Sequence, residues 1–461
     1  MPERIGIVAD DLTGATTVGA LIAREGVAAT VLFDADSVAS GPIGDDVGAV
    51  IVSTDSRAME PEVAFHRVRR ATEELQRIGV GRFSKRIDTT SRGAIGPEVE
   101  GMLTALGEDF CAIVVPAMPQ SRRIVVGGYS IIDSTLLART EVARDVRTPV
   151  TESHIPTLLR SQLTLPLGHV ELATVLQGEG AIRTRLDELC SDGVRVIVVD
   201  AVSSEDVDSI AGAVVQFDRP IICVDPGPFT DRVAVRSGAI RPGDVRQRGT
   251  RVDPAAGEVG TVLAVAGSAT RLTHDQIEQV RQVRGTAVVG VSVERLLGGE
   301  AVLRGERDRV VEEARTAVTR GPAPRVLVLA LDPVVTGRYR DLKELEAICG
   351  LKGQQVSALL NLRFGELARQ VLDLIGTQGC AGLYLTGGDV MLSSCRALDA
   401  VGITLVDYVI PQVDQGVITG GPYDGLPVVC KGGLTGAATT ALESINRIFD
   451  ERMALNAAHI A

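Results

Sequence analysis

Ile5-Gly6-Ile7-Val8-Ala9-Asp10-Asp11-Leu12-Thr13-Gly14-Ala15 is the stretch whose reading decides the fold class. An apolar run with β-branched residues breaks on two carboxylates and a Thr-Gly step before Ala-rich sequence, the pattern of a buried strand, a polar loop and a helix. In an open α/β sheet, ligands bind at such strand ends. Two adjacent acids cannot both be buried without hydrogen-bond donors, a cation or a metal. The segment is equally readable as a helix N-cap, with Asp11 or Thr13 accepting backbone N–H bonds and the other acid in water. Cap and site both stand open from these residues alone.

The same rhythm continues outward. Strands are expected at Ala28–Phe33, Ala49–Ser53, Arg82–Ile87, Ala112–Val115, Val194–Asp200 and Ile221–Val224, with helices such as Pro61–Ile78 and Glu98–Leu106 between them. Strands separated by helical stretches pair in parallel through βαβ units. A polar stretch from Ser237 to Gly257 interrupts this order before Thr261-Val262-Leu263-Ala264-Val265 restarts it. At 461 residues the chain exceeds one ordinary core, so two domains are expected, 1–245 and 258–461. The fold class is therefore α/β, each domain a mainly parallel sheet flanked by helices. In the second half, strands are expected near Val262–Ala266, Ala287–Ser292, Arg325–Leu331, Gly382–Leu385, Gly402–Val409 and Pro427–Val429, and the last helix at Leu434–Phe449.

A net charge of −12 argues against a general nucleic-acid binder, which presents a basic face to phosphates. A few local arginines can still reverse the field inside one cleft. No apolar run reaches the length of a membrane span and no signal-peptide core precedes the first strand, so a cytoplasmic protein without a membrane partner is expected. The seven cysteines form no C-x-x-C pair and read as buried thiols. Scattered histidines give zinc little support, which leaves a hard, oxygen-bound ion such as Mg²⁺ as the expected metal.

Lys85-Arg86-Ile87-Asp88-Thr89-Thr90-Ser91-Arg92-Gly93 gathers three cations, a carboxylate and three hydroxyls near one strand end. Arginine forks a carboxylate while aspartate accepts from hydroxyls, so the segment suits a polyhydroxylated acid; a solvated loop with internal hydrogen bonds is the alternative. Arg57 follows the strand Ala49–Ser53 at the same sheet edge. Pro116 through Arg123 forms a rigid turn whose paired arginines, Arg122 and Arg123, either close over an anion or only shape a loop. Three glycine turns mark the second half: Gly267-Ser268, Gly387-Gly388-Asp389, and Lys431-Gly432-Gly433-Leu434-Thr435-Gly436. Glycines let backbone N–H groups approach phosphate oxygens, and a lysine adds charge. No Walker P-loop or G-x-G-x-x-G fingerprint is present, so a phosphate cradle would come from separate loops.

With these residues in view, the chain resembles the four-carbon acid sugar kinase family. Ala9 through Ala15 match its A-D-D-L-T-G-A opening, and Lys85 to Ala94 look like its K-x-I-D-S-T-L-R-G-N segment, with Ser91 in place of leucine and Ala94 in place of asparagine. Pro116 through Gly128 are similar to its proline and double-glycine turn, and the three glycine turns resemble its G-S-x-S, G-G-E-T and K-S-G-x-F-G motifs. The resemblance implies a sugar-acid-binding domain, an ATP-binding domain and an active site in the cleft between them. The implied reaction is phosphorylation of the terminal hydroxyl of threonate, erythronate or 3-oxo-tetronate, with ATP and Mg²⁺ as cofactors.

By matched position, Asp10, Asp11, Arg57, Lys85, Asp88 and Arg92 would face the acid, joined by Arg122. Ser268, Gly387, Gly388, Asp389, Lys431 and Gly433 would face the nucleotide. Arg57, Lys85 and Arg92 are expected to grip the substrate carboxylate, and Asp10 or Asp11 to act as base or to stand behind the metal; no metal ligands are assigned. A homodimer is compatible with the sequence. The rival expectation is a nucleotide- and sugar-acid-binding regulator with impaired catalysis.

Overall fold

The strand and helix expected from residues 5–15 form as β1 (Ile5–Ala9) and α1 (Leu12–Arg24) in the computed structural model, which describes residues 4–41, 43–44, 47–145, 147–240 and 260–460. The chain divides into two compact units, Met1–Arg246 and Gln247–Ala461. Most of the polar stretch read as the boundary, from residue 241 onward, lies outside the described residues.

In the first unit β1 is followed by β2 (Ala28–Leu32), β3 (Val47–Ser53), β4 (Arg82–Arg86), β5 (Cys111–Val114), β6 (Arg123–Val126), β7 (Tyr129–Ile132), β8 (Thr135–Leu136), β9 (Leu167–Val170), β10 (Val196–Val199) and β11 (Ile221–Asp225). Eight of these form a sheet in the order β2-β3-β1-β4-β11-β5-β10-β9, every pair parallel. All five residues of β1 are buried, because a parallel sheet covered by helices leaves neither strand face to water. Helix α2 (Pro61–Arg77) buries Ala64, Val68, Ala71 and Leu75, spaced three to four apart, so one aliphatic stripe faces the sheet. Helix α3 (Ile95–Leu106) begins three residues before the expected Glu98. Pro97 is admitted because the first helical turn needs no N–H at that position.

The second unit holds β12 (Thr261–Ala266), β13 (Thr286–Val291), β14 (Val326–Leu331), β15 (Cys380–Thr386), β16 (Gly402–Ile410), β17 (Val413–Thr419) and β18 (Pro427–Lys431). Their order is β13-β14-β12-β15-β18-β17-β16, with the first five strands parallel and β17 and β16 antiparallel. Strand β17 was not expected: Asp414 and Gln415 interrupt its apolar pattern, yet both are buried. The final helix also differs from expectation, starting at Thr440 rather than Leu434. Gly436 turns the chain at φ 87°, and Leu434 stands 81 % exposed, so the lysine-glycine turn runs on as a loop. Among the described residues, no helix is long and apolar enough to cross a membrane. All seven cysteines are free thiols, and all but Cys349 are buried.

A small antiparallel sheet, β6-β7-β8, follows the Pro116–Arg123 turn. Asp200, just past β10, fastens it to the main sheet. This carboxylate is fully buried and accepts from the N–H groups of Gly127 (2.6 Å), Gly128 (3.0 Å) and Leu172 (3.1 Å), with His169 Nε2 at 2.9 Å. Gly127 and Gly128 have φ of 56° and 77°, a conformation that suits glycine and lets successive N–H groups point at one anion. Burial pushes the Asp200 pKa up, but the His169 hydrogen bond and the backbone donors hold it below its usual range. Asp200→Ala is expected to cost about 2–3 kcal/mol of stability, because buried donors lose their acceptor. The depressed carboxyl contributes its stability above the unfolded-state pKa, so in urea unfolding the difference between the proteins should shrink as pH falls below about 4.

Candidate active site

Parallel register places the polar loops of the first unit side by side. Ala9 pairs with Ser53 on one flank and Arg86 on the other, and Arg86 pairs with Asp225. The residues that follow, Asp10-Asp11, Thr54 to Arg57 and Ile87 to Arg92, therefore leave one edge of the sheet together. Arg57 lies across this edge. Its Nε is 2.7 Å from Asp10 Oδ2, its Nη2 is 3.2 Å from Asp10 Oδ1, and its Nη1 is 2.7 Å from Asp11 Oδ2. Asp88 stands 3.7 Å away and is itself forked by Arg92, at 2.9 and 3.1 Å. Arg92 reaches on to Asp145 at 3.2 Å.

Three arginines and four aspartates thus interlock, because Arg86 Nη1 also contacts Asp10 (3.4 Å) and Asp11 (3.2 Å). Burial alone would raise the carboxyl pKa of Asp10, but the charges of Arg57, Lys85 and Arg86 carry it below the ordinary range. Asp88 behaves likewise, lowered by Arg57 and Arg92 against its burial. Both are carboxylates throughout the neutral range.

Asp11 answers the alternatives posed by its sequence. Its Oδ1 accepts from Gly14 N–H at 2.8 Å, so it caps α1, and it is also a member of the cluster. Its side chain is 23 % exposed against 2 % for Asp10, so of the pair Asp11 is the one open to a ligand.

Two residues in contact with the cluster, Arg86 and Glu98, were not among the expected site residues, although Arg86 is one of the three cations of the Lys85–Gly93 segment. Arg86 packs its guanidinium on Gly14, where an added Cβ would come within 1.8 Å of Nη1. The glycine of the Thr13-Gly14 step therefore serves close approach. Glu98, on α3, is buried and pairs with Lys85 Nζ at 3.0 Å, with Ser56 Oγ as a second partner. Burial pushes the Glu98 carboxyl up, opposed by Lys85. Adjacent strand residues point to opposite faces, so Lys85 and Arg86 were bound to part ways; only packing decides which one joins the aspartates. Lys85, expected to grip an acid, is fully buried and donates also to Arg86 O at 2.8 Å. Arg122, expected to bind substrate, is 83 % exposed and reaches only Asp133 at 3.5 Å. Neither belongs to the open part of the cluster.

The second unit shows a contrasting edge. Ala266, Thr386 and Lys431 are register partners, so the three glycine turns emerge next to one another. Gly387 N–H donates to Lys431 O at 2.9 Å. Thr270 and Thr273 hydroxyls donate to Gly433 O at 2.9 and 3.2 Å. Gly433 abuts Ser268, whose Oγ would lie 2.0 Å from an added Cβ. Gly387, at φ 104°, opens the helix Gly388–Ala397, with Asp389 in its first turn.

Lys431 is 1 % exposed, and its Nζ donates to Gly432 O (2.6 Å) and Thr435 O (3.3 Å). Burial pushes its pKa down to about 8. Its ammonium is thus held by two neutral carbonyls of the turn that follows it. Among the described residues, no group of three His, Cys, Asp or Glu side chains is arranged to hold a metal. Asp10, Asp11 and Asp88 are turned to guanidinium groups, so the cluster does not fit a metal cage.

Two α/β units, one ending in a carboxylate–guanidinium cluster and the other in a lysine-glycine edge, define a two-domain ligand-binding protein. Residues 5–233 match the family of sugar-binding N-terminal domains and residues 263–441 that of nucleotide-binding C-terminal domains. The chain is 34 % identical to a D-erythronate kinase of Heliobacterium modesticaldum, over 96 % of this chain and 97 % of the relative. It is 32 % identical to a D-threonate kinase of Bordetella bronchiseptica, over 97 % and 98 % of the two chains. A 3-oxo-tetronate kinase of Brucella melitensis is 25 % identical over 89 % of this chain and 88 % of its own. The chain belongs to the four-carbon acid sugar kinase family. A solved Haemophilus influenzae protein shares the fold at a TM-score of 0.72, with 21 % identity over 96 % of this chain and all of that one.

Gly14→Ala should displace the Arg86 guanidinium and lower stability by about 1–3 kcal/mol. Thermal or denaturant unfolding of the variant checks this, with Thr13→Ala, which leaves the contact intact, as the control.

Proposed function

We propose that the protein transfers the γ-phosphoryl group of ATP to the terminal hydroxyl of a four-carbon sugar acid of the erythronate, threonate or 3-oxo-tetronate type. The observation that carries this reading is that one chain holds both an acidic edge with a partly open Asp11 in its first unit and, in its second, an edge to which three glycine turns and Lys431 are delivered. The names of the full-length relatives support the choice of acid.

In the transfer, the substrate oxygen forms a bond to phosphorus as the bond between phosphorus and the ADP oxygen breaks, and the hydroxyl proton passes to a carboxylate. Asp11 is our choice for that carboxylate, because Asp10 lies beneath it. Arg57 and Arg86 fix Asp11 in place, while Asp88, held by Arg92, would accept from substrate hydroxyls. Arg57 and Arg92 thus act here as holders of carboxylates rather than as free grips. Phosphoryl transfer relies mainly on such positioning and on charge neutralisation. Ser268, Gly387, Gly388, Asp389 and Gly433 shape the nucleotide edge, with Lys431 meeting the phosphates. Mg²⁺ would come with ATP, since this ion usually keeps waters and phosphate oxygens as ligands and needs few protein groups. A cytoplasmic setting, where ATP is available, fits this reading.

ADP release from ATP with a panel of four-carbon acids tests the proposal; ATP binding without turnover on any acid would leave the regulator reading instead. Asp11→Asn should lower kcat by about 10²–10⁴ with KM for ATP unchanged, and unchanged turnover would remove Asp11 from the role of base.

Lys431 predicts a pH dependence of nucleotide binding. Its ammonium is charged below about 8, so affinity for ATP should fall as pH rises through that value. A loss of roughly tenfold by pH 9.5 is expected from losing one charge-assisted hydrogen bond. Calorimetric titration checks it, and Lys431→Met should bind weakly at every pH with the step gone.

A further inference from the structure

The first unit holds two sulfur atoms that the acidic edge does not use. Cys111 opens β5, and Cys190 lies in the last turn of the helix Glu179–Ser191. They are 79 positions apart in sequence, yet their Sγ atoms stand 3.2 Å from one another. Both are free thiols. A disulfide bond is about 2.05 Å long, so the sulfurs need to approach by roughly 1 Å more to form one.

The surroundings make the two sulfurs unequal. A hydrogen bond from the Cys190 thiol lowers the Cys111 pKa to about 7; burial opposes it, and the charges of Arg219 and Arg195 add to the lowering. The same hydrogen bond, together with burial, raises that of Cys190. Arg195 is held close to Cys111, since its Nε donates to Phe110 O at 2.8 Å and its Nη2 to Gly107 O at 2.9 Å. The thiolate is the form of cysteine that oxidants attack, and a neighbouring thiol converts the first product to a disulfide. Burial instead pushes the thiols of Cys223, Cys380, Cys395 and Cys430 up, which makes them inert.

Cys111 and Cys190 are buried, but under a thin cover. Glu108 and Asp109, ahead of β5, and residues 191–193, after Cys190, are exposed. A local opening of these segments admits a molecule scarcely larger than water. Cys111 pairs with Ile221 at the start of β11, whereas Asp225 at its end pairs with Arg86 of the cluster. Four residues of strand, roughly 13 Å, therefore separate the sulfurs from the aspartate edge.

We propose that Cys111 and Cys190 form an oxidative modification site, at which a peroxide converts the two thiols to a reversible disulfide that ties β5 to the helix Glu179–Ser191. The Cys111 thiolate attacks one peroxide oxygen; an S–O bond forms, the O–O bond breaks, and the departing hydroxide takes a proton to become water. The Cys190 sulfur then attacks the Cys111 sulfur; the S–S bond forms, the S–O bond breaks, and the oxygen leaves as a second water with the Cys190 proton. The thiols lose two electrons and two protons, and one peroxide is reduced to two waters. A bond closing so long a loop restricts the unfolded chain and strengthens the unit.

The experiment treats the reduced full-length protein with excess hydrogen peroxide, blocks the remaining thiols, and maps non-reduced peptides by mass spectrometry. Peptides containing Cys111 and Cys190 should be joined, with the loss of two hydrogens, and dithiothreitol should part them. The cross-linked protein should have a Tm about 5 °C or more above the reduced one. In Cys190→Ser the cross-link should be lost and dimedone should label Cys111 as the sulfenic acid, while Cys223→Ser should cross-link as the wild type does. A wild type that forms no Cys111–Cys190 link, or that carries Cys111 on to the sulfinic acid instead, overturns the proposal. So does a cross-linked protein whose Tm is unchanged or lower. If Cys190→Ser does not fold, the wild-type map and Tm decide alone.

Discussion

Arg57 spans Asp10 and Asp11 with a single guanidinium, and the rest of the acidic edge is arranged around that fork. Two carboxylates at the end of a buried strand would repel one another and lose their hydration. A planar cation with several fixed donors answers both costs in one geometry, which lysine could not do. Arg86 adds a second cation from the neighbouring strand, and Arg92 ties in Asp88. The ion pairs are mutually dependent, because removing one partner of a buried pair leaves an uncompensated charge costing about 3–5 kcal/mol. Beneath them, Lys85 and Glu98 form a further buried pair that also touches the Arg86 carbonyl and Ser56. The acidic edge is thus supported from below by a charged layer, and the aspartates are fixed before any ligand arrives.

The two units solve opposite electrostatic problems with the same architecture. In each, parallel strands deliver their following loops to one edge. In the first unit the acids are answered by arginines, Asp10, Asp11, Asp88 and Asp145 by Arg57, Arg86 and Arg92. Such an edge can hold hydroxyls without attracting a bare phosphate. In the second unit, Lys431 is held by carbonyls, and the Gly388 helix starts beside its strand. That edge lacks matched countercharges at the lysine and suits an anion.

Much of this was legible in the order of residues. The apolar runs ending in Asp10, Thr54 and Thr386 gave strands in nearly their observed places, because buried parallel strands are continuous aliphatic stretches and need no partner to be recognised. Strand β17 was hidden for the converse reason. Its Asp414 and Gln415 are buried polar groups whose partners are distant in sequence; Gln415 meets Arg447 and Glu451. The small β6-β7-β8 sheet was missed because its strands, of four, four and two residues, are too short to show a period. The final helix was placed too early because alternating glycines and apolar residues imitate a helix start until the φ of Gly436 is known.

The sequence by itself determined the α/β class, the two halves, the sheet edge that carries each polar loop and the family to which the chain belongs. These follow from local patterning, which acts within a few residues. The tertiary structure decided which charges meet. It sent Lys85 inward to Glu98 and Arg86 outward to the aspartates, and made Asp11 both a helix cap and an open acid. Each of these outcomes depends on distances between residues tens of positions apart. Pairing, burial and the resulting pKa shifts arise only once the sheet has set its register.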